Sequence, residues 1–516
     1  MKRNYTVLVL LFTMSLSFGQ TITTLWTYSM PEKVSRTGPA IASDGTIYIG
    51  CNYTTRNTLG AGLTEPNFFA INPNNSLKWQ ISLTEGTLFD KVDAIESSAS
   101  ISSDGSIYMG GHFGRRLYKI NPTTGAFITR DLGARIRYSA AAFATDGTVV
   151  QLTRNNGDKG VRSLTADLAT QNWVVPYTAP LPPSITPTGL VDFNSTPAIA
   201  KDGTIYAAGS NATGINNIYA INPNGTIKWS KPYCPVVGFA SSAIALANDG
   251  TVYLSAKLNA NTPADGVLKA YDPANGDEKW SVTLTGTNVE QGGPAVAADG
   301  TVYLGNNGGT MKAYNPATGA VLWTFTASGG IEVVPAIDNL GRLYFGTTTG
   351  NFYVVNSDGT LAYDMLDLGD RIDSSAAIDK DGSIYVGATL GTGANSGKLY
   401  KLQTTATGLQ TGGWPMYGGN LRHTSNAQDI YLSTDDNNTI DGFSIYPNPV
   451  KNGEFSISTQ SNSVKSVQIF DVLGKQVYAK KIEANEKVKT SNLTAGMYIL
   501  SVEESGKTAT RKLIIN

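Results

Sequence analysis

Along this chain, apolar and polar positions alternate in short bursts separated by turn residues. PAIAKDGTIYAAG, from Pro197 to Gly209, is typical: a short apolar run, an Asp-Gly turn, and a second apolar run. This is the pattern of a β-hairpin. Related hairpins occupy residues 38–50, 98–110, 140–152, 196–209, 243–255, 293–305, 334–346 and 375–387. Their turn glycines, from Gly45 to Gly382, recur about every 48 residues, a propeller-like period. The third copy has lost its Tyr, and the seventh has Leu340-Gly341 in place of Asp-Gly. Asp and Gly are both expected to accept the positive φ of a tight hairpin turn. A second hairpin follows most copies, as in IYAINPNGTIKW at 218–229. Each repeat is then four antiparallel strands, and eight repeats predict an all-β, eight-bladed β-propeller. LWTY (25–28) resembles the fourth strand of the other repeats but precedes the first hairpin. It is expected to complete the last blade, beside LYKLQ (399–403), and so remove the open edge.

Composition narrows the setting. Lys plus Arg number 39 and Asp plus Glu 40, so no global charge attracts nucleic acid or an anionic membrane. The first 19 residues combine Lys2 and Arg3 with an apolar run and small residues at its end, the pattern of a secretory signal peptide cleaved before Gln20. No later segment is long and apolar enough to span a bilayer as a helix. The two cysteines, Cys51 and Cys234, lie in distant repeats and are expected to be unpaired thiols; neither a C-x-x-C-H haem site nor a zinc spacing occurs. Trp79, Trp229, Trp280 and Trp323 keep a constant place in the repeat, which predicts docking between blades over carbohydrate stacking.

The paired hairpin motifs resemble the pyrroloquinoline-quinone-type propeller repeat over about residues 22–425, and GWPMYGGNLRHT (413–424) resembles a segment common in such proteins. The resemblance implies the fold. The quinone enzymes of that family use an adjacent-cysteine disulfide and a calcium ion held by carboxylates and amides; here no adjacent pair exists, so no catalytic residue is carried over and no cofactor is expected. After an acidic, Asn-rich linker at 426–442, residues 443–516 read as a small, Ig-like β-sandwich of about seven strands. They resemble the C-terminal sorting domain of the type IX secretion system of Bacteroidetes. The matching residues include Pro447, Asn448, Pro449, Gly474, Lys475, Gly496, Tyr498 and Lys512. This implies passage through the periplasm, handling by the secretion machinery, and a final place outside a Gram-negative cell.

Ligand chemistry is expected on the face carrying the variable loops 51–67, 174–194, 256–267 and 388–398. Aligning the residue that enters each inner strand gives Arg36, Glu96, Tyr138, Asn194, Gln291, Glu332 and Asp373 as a ring at the channel mouth. Such a ring suits calcium, a polar ligand, or simply solvent. Arg115, Arg116, Lys119, Arg130, Arg135 and Arg137 form a basic cluster in blade 2 that suits an acidic polysaccharide or plain solvation. The sequence thus predicts a secreted or surface propeller that binds an extracellular protein or glycan without catalysis. The alternatives are a quinone- and calcium-dependent dehydrogenase, and a scaffold that binds nothing small.

Overall fold

The structure is a computed structural model. It describes residues 20–52, 66–83, 95–154, 160–176, 195–210, 216–234, 242–258, 265–289, 292–391, 396–431, 440, 443–450, 453–459, 461, 463–471, 475–483, 486–505 and 507–515. The chain forms two compact units, Met1–Leu432 and Ser433–Asn516.

The first unit contains eight four-stranded antiparallel sheets. Seven are built from consecutive strands. The eighth takes its inner three strands, Ala377–Ile378, Ser383–Thr389 and Gly397–Gln403, from the end of the repeats and its outer strand, Thr23–Met30, from the start. The ring therefore closes by main-chain pairing of Thr23 to Met30 against Gln403 to Gly397, as the sequence predicts.

The inner hairpin turn differs from the expectation in one respect. Gly45 has φ 79° and its counterparts are similar, but the preceding Asp is not in the positive-φ region. Instead Asp44 Oδ1 accepts the Thr46 amide at 2.9 Å, and Gly45 N donates to Ala42 O at 2.9 Å. The turn is a three-residue loop whose last residue alone is left-handed. The Asp is a local side-chain cap, which explains its recurrence without any metal.

A row of three side chains recurs across the blades. Tyr48, Ala70 and Trp79 lie side by side on neighbouring strands, as do Tyr206, Ala220 and Trp229, and Tyr253, Ala270 and Trp280. The central Ala lets the two rings approach over it, with centroids 5.7 to 5.8 Å apart. Each indole then docks on the next blade. Trp229 Nε1 donates to Pro273 O at 3.0 Å and Trp280 Nε1 to Pro316 O at 2.8 Å. Trp26 does the same across the closure, to Pro73 O at 3.0 Å. The indole lies on a turn glycine of that next blade. At Gly276, with φ 72°, an added Cβ would sit 2.5 Å from Trp229. Gly276→Ala is therefore expected to destabilise by about 2 kcal/mol or more, through combined backbone strain and overpacking, measurable by chemical unfolding.

After the eighth blade the chain turns back across the inner hairpin turns. Backbone amides of Ile41, Ile101, Phe143, Ile199, Val296 and Ile337 donate to carbonyls of residues 414–425 at 2.8 to 3.0 Å. The inner strand of a blade has a free edge facing the channel, and this segment pairs it in blades 1, 2, 3, 4, 6 and 7. His423 is buried and Tyr417 partly buried, with Tyr417 Oη 2.7 Å from Thr196 Oγ1 and His423 Nδ1 2.9 Å from Ala99 O. The channel is sealed at this end by the segment 413–424 that the sequence marks as family-like.

The second unit is a sandwich. Ser444–Tyr446, Glu454–Ser458 and Val488–Lys489 form one sheet; Gln476–Ile482, Lys465–Phe470, Gly496–Glu504 and Lys507–Ile515 form the other, in that spatial order. Val467, Ile469, Leu500, Val502 and Leu513 fill the core between them. Among the described residues no helix is long and apolar enough to cross a membrane.

Candidate functional site at the channel mouth

Opposite the seal lies the end of the channel where each chain segment enters an inner strand. The expected ring is only partly one ring. Glu96, Glu332 and Asp373 each follow directly after the Ile that packs on the strand-end glycine Gly50, Gly305 or Gly346, so they are equivalent. In blades 1 and 3 the path is one residue longer, from Val34 to Ala40 and Ile136 to Ala142, against Ile95 to Ser100 in blade 2. The extra residue is accommodated at Arg36 and Tyr138, with φ 64° and 59°. Their true counterparts of Glu96 are Ser35 and Arg137. Asn194 and Gln291 lie outside the described residues, as do 53–65, 177–194, 259–264 and 392–395 of the variable loops and the leader 1–19.

Glu96 is the hub of one side. It is buried, its Oε2 receives the Arg137 Nε and lies 2.9 Å from His112 Nδ1, and its Oε1 accepts Asn52 Nδ2 at 3.1 Å. Arg36 Nη1 is 3.9 Å from the same carboxylate. Burial alone would raise this carboxyl, but the His112 hydrogen bond and Arg137 outweigh it and hold it at about 2. Burial pushes His112 below its ordinary value, with Glu96 pulling the other way, so at neutral pH it is a neutral donor.

Tyr138 stands beside this hub with guanidiniums around its ring. Arg137 lies 4.3 Å from the ring centre, Arg36 4.6 Å and Arg154 5.7 Å. Arg135 lies 5.1 Å from the Phe113 ring, and His112 stacks on the same ring at 4.0 Å. Arg135 and Arg154 are paired to each other through their backbones. On the other side Arg371 joins two of the expected carboxylates, reaching Glu332 Oε2 at 2.5 Å and Asp373 Oδ2 at 3.1 Å, while Ser35 Oγ donates to Asp373 Oδ2 at 3.0 Å. Burial lowers the Arg36 value, although Glu96 and, more weakly, Asp373 and Glu332 support its charge. Arg36 thus feels both sides of the mouth.

The basic cluster expected in blade 2 divides. Arg115 pairs with Asp131 at 3.3 Å, Lys119 with Asp104 at 3.6 Å, and Arg130 binds the Leu168 and Ala169 carbonyls of the next blade. Arg116 donates to Thr129 at 3.1 Å. Only Arg135 and Arg137 reach the mouth. Sequence alignment missed Arg154, Arg371, His112 and Phe113 there. The signal for Arg371 was its position two residues before Asp373, since alternate residues of an extended segment share a side.

The carboxylates do not present a calcium cage. Glu96, Glu332 and Asp373 are each bonded to a guanidinium, and among the described residues no three His, Cys, Asp or Glu side chains converge. Cys51 is buried, and burial raises its thiol far above the ordinary range. The residues present do not fit the calcium and disulfide arrangement of the quinone enzymes.

In the sandwich, residues matched to the sorting signal hold its first turn onto its last strand. Asn448 Oδ1, between Pro447 and Pro449, accepts the Ile514 amide at 2.9 Å, and Val450 N donates to Ile514 O at 2.7 Å. Buried Tyr498 donates its hydroxyl to Thr494 O at 2.9 Å, and Lys475 N donates to Asp471 Oδ1 at 2.9 Å. Gly496 opens a strand, Lys512 pairs with Ile499 in the ladder, and Gly474 lies outside the described residues.

Residues 264–412 match a family described as outer membrane protein assembly factor BamB, and residues 444–516 match the secretion system C-terminal sorting domain. An ulvan lyase of Nonlabens ulvanivorans is 38% identical over 94 residues, covering 18% of this chain and only 17% of that protein. Among solved structures, BamB from Moraxella catarrhalis superposes with a TM-score of 0.52 at 16% identity, over 74% of this chain and 100% of that one. A europium-containing methanol dehydrogenase gives 0.54 at 14%, over 74% and 93%. The quinohemoprotein alcohol dehydrogenase of Comamonas testosteroni gives 0.53 at 13%, over 74% and 76%. At these identities the structures share the fold alone. The chain is thus an eight-bladed propeller of pyrroloquinoline-quinone-type repeats, carried to the cell surface or the medium by a C-terminal sorting domain of the type IX secretion system.

Proposed function

We propose that the propeller is a non-enzymatic binding module whose channel mouth recognises an acidic glycan outside the cell. The observation that carries this reading is the gathering of Arg36, Arg137 and Arg154 around the Tyr138 ring, with Glu96 bonded to Arg137 and near Arg36. A guanidinium presents paired donors that match carboxylate and sulfate oxygens, and an aromatic face beside it accepts the apolar side of a sugar ring. Arg36 and Tyr138 are held at positive φ, a backbone state that non-glycine residues adopt at a free-energy penalty and that clusters at functional sites. An anion arriving beside Arg36 would offset the burial that disfavours its charge. The partial likeness to an ulvan lyase makes ulvan one polymer to test.

Binding of polygalacturonate, alginate and ulvan to the mature chain is expected to weaken steeply with salt. Arg36→Gln combined with Arg137→Gln is expected to lower affinity by about 100-fold in titration calorimetry. Equal affinity of wild type and the double variant would overturn the assignment.

A further inference from the structure

Blade 3 breaks the Tyr-Ala-Trp row that blades 1, 4, 5 and 6 keep. Val150, Ser163 and Trp173 occupy the register held elsewhere by Tyr, Ala and Trp. In blades 1, 4 and 5 a Lys precedes the Trp and pairs with the Asp of the inner turn: Lys78 with Asp44 at 3.1 Å, Lys228 with Asp202 at 3.4 Å, Lys279 with Asp249 at 3.4 Å. In blade 3 that Lys is Asn172, whose Nδ2 donates to Ser163 Oγ at 3.1 Å. Asp146 keeps only its local bond to the Thr148 amide among the described residues.

The result is a cavity of about 390 Å³ between blades 3 and 4, on the sealed face and apart from the channel mouth. It includes the space that the missing tyrosine ring would fill. Val150, the Trp173 indole and Ile205 supply its apolar wall; Ser163, Asp146, Asn172 and Gln428 supply polar groups. Trp173 is held by its own Nε1 bond to Pro223 O at 2.8 Å, so the wall is rigid. Three residues of one repeat, Val150, Ser163 and Asn172, thus depart together from the pattern of blades 1, 4 and 5, and all three line the same space.

We infer that this cavity is a second binding site, for a neutral pyranose unit of a glycan. A flat indole wall suits the C–H face of a sugar ring, and a carboxylate with amides and a hydroxyl suits its hydroxyl groups. The lining carries Asp146 without an ion-pair partner among the described residues, Asp202 paired to Lys228 and a single cation, Lys201, so it lacks the guanidinium cluster that distinguishes the mouth and suits a neutral sugar better than an acidic one.

The test uses the mature full-length chain with cellohexaose, maltohexaose and laminarihexaose, read by calorimetry. At least one hexaose is expected to bind. Val150→Tyr, which restores the repeat residue, is expected to weaken that binding by about 30-fold or more while leaving the thermal midpoint unchanged or raised. Asn172→Lys, a surface change that gives Asp146 the partner found in other blades, is expected to weaken it by about 10-fold. Polygalacturonate binding at the mouth stays as in wild type for both variants. The inference is overturned if no hexaose binds the wild type, or if both variants bind as the wild type does.

Discussion

Trp229→Ala is expected to lose about 4 kcal/mol of stability, near the upper range for a single substitution in this fold. The residue combines three interactions that the repeat concentrates in one place. Its ring packs on Tyr206 at 5.8 Å, its Nε1 donates to Pro273 O at 3.0 Å, and its face covers Gly276 of the next blade. Truncation leaves a cavity inside the blade interface and an unpaired carbonyl. Trp173→Ala should lose about 1 to 2 kcal/mol less, because the Tyr partner is already Val150 and part of the space is already open. Chemical unfolding of the two variants side by side checks this; equal losses would sink the account of the row as a cooperative unit.

Acidification from pH 6.5 to 4 is expected to lose about 3 kcal/mol through His423 alone. Its imidazole is fully buried in the sealing segment, and burial pushes it down to about 4, against a weaker upward pull from the Ala99 carbonyl. The folded value lies below the unfolded one of 6.5. The unfolded chain therefore takes up the proton first, so this stability is whole above pH 6.5 and falls as pH drops toward 4. Glu96 extends the trend. Its folded value of about 2 lies below the ordinary 4.5, so its contribution is present above pH 4.5 and is lost between 4.5 and 2. His423→Asn is the control, since Asn tolerates the φ of 53° at this position and does not titrate. Unfolding midpoints measured from pH 7 to 4 should fall less steeply in the variant; parallel curves would show that the seal does not hold the proton-sensitive group.

Much of the architecture was legible because the propeller repeats its instructions. The Asp-Gly hairpins, the Trp positions and the displaced LWTY strand each appear as a pattern along the chain, and the structure places them as that pattern requires. The sorting domain was legible for a similar reason: its strands alternate with period two, and its turn residues sit at fixed places. The channel mouth was legible only in part. Glu96, Glu332 and Asp373 could be read from the repeat register, but the one-residue extensions at Arg36 and Tyr138 shifted the alignment, because a single inserted residue changes which side chain faces inward.

What the sequence by itself determined is the blade: local turn chemistry and strand alternation act within a few residues and need no distant partner. What only the tertiary structure decided is everything that depends on ring closure. Ser35 meets Asp373 across the closure, Arg36 meets Glu96, Arg371 meets Glu332, and the segment 414–425 meets six inner strands, because eight blades bring residues far apart in sequence around one axis. The cavity in blade 3 has the same origin. The lost Tyr was visible in the third repeat, but an absent ring becomes a space only when the neighbouring blade supplies the other wall.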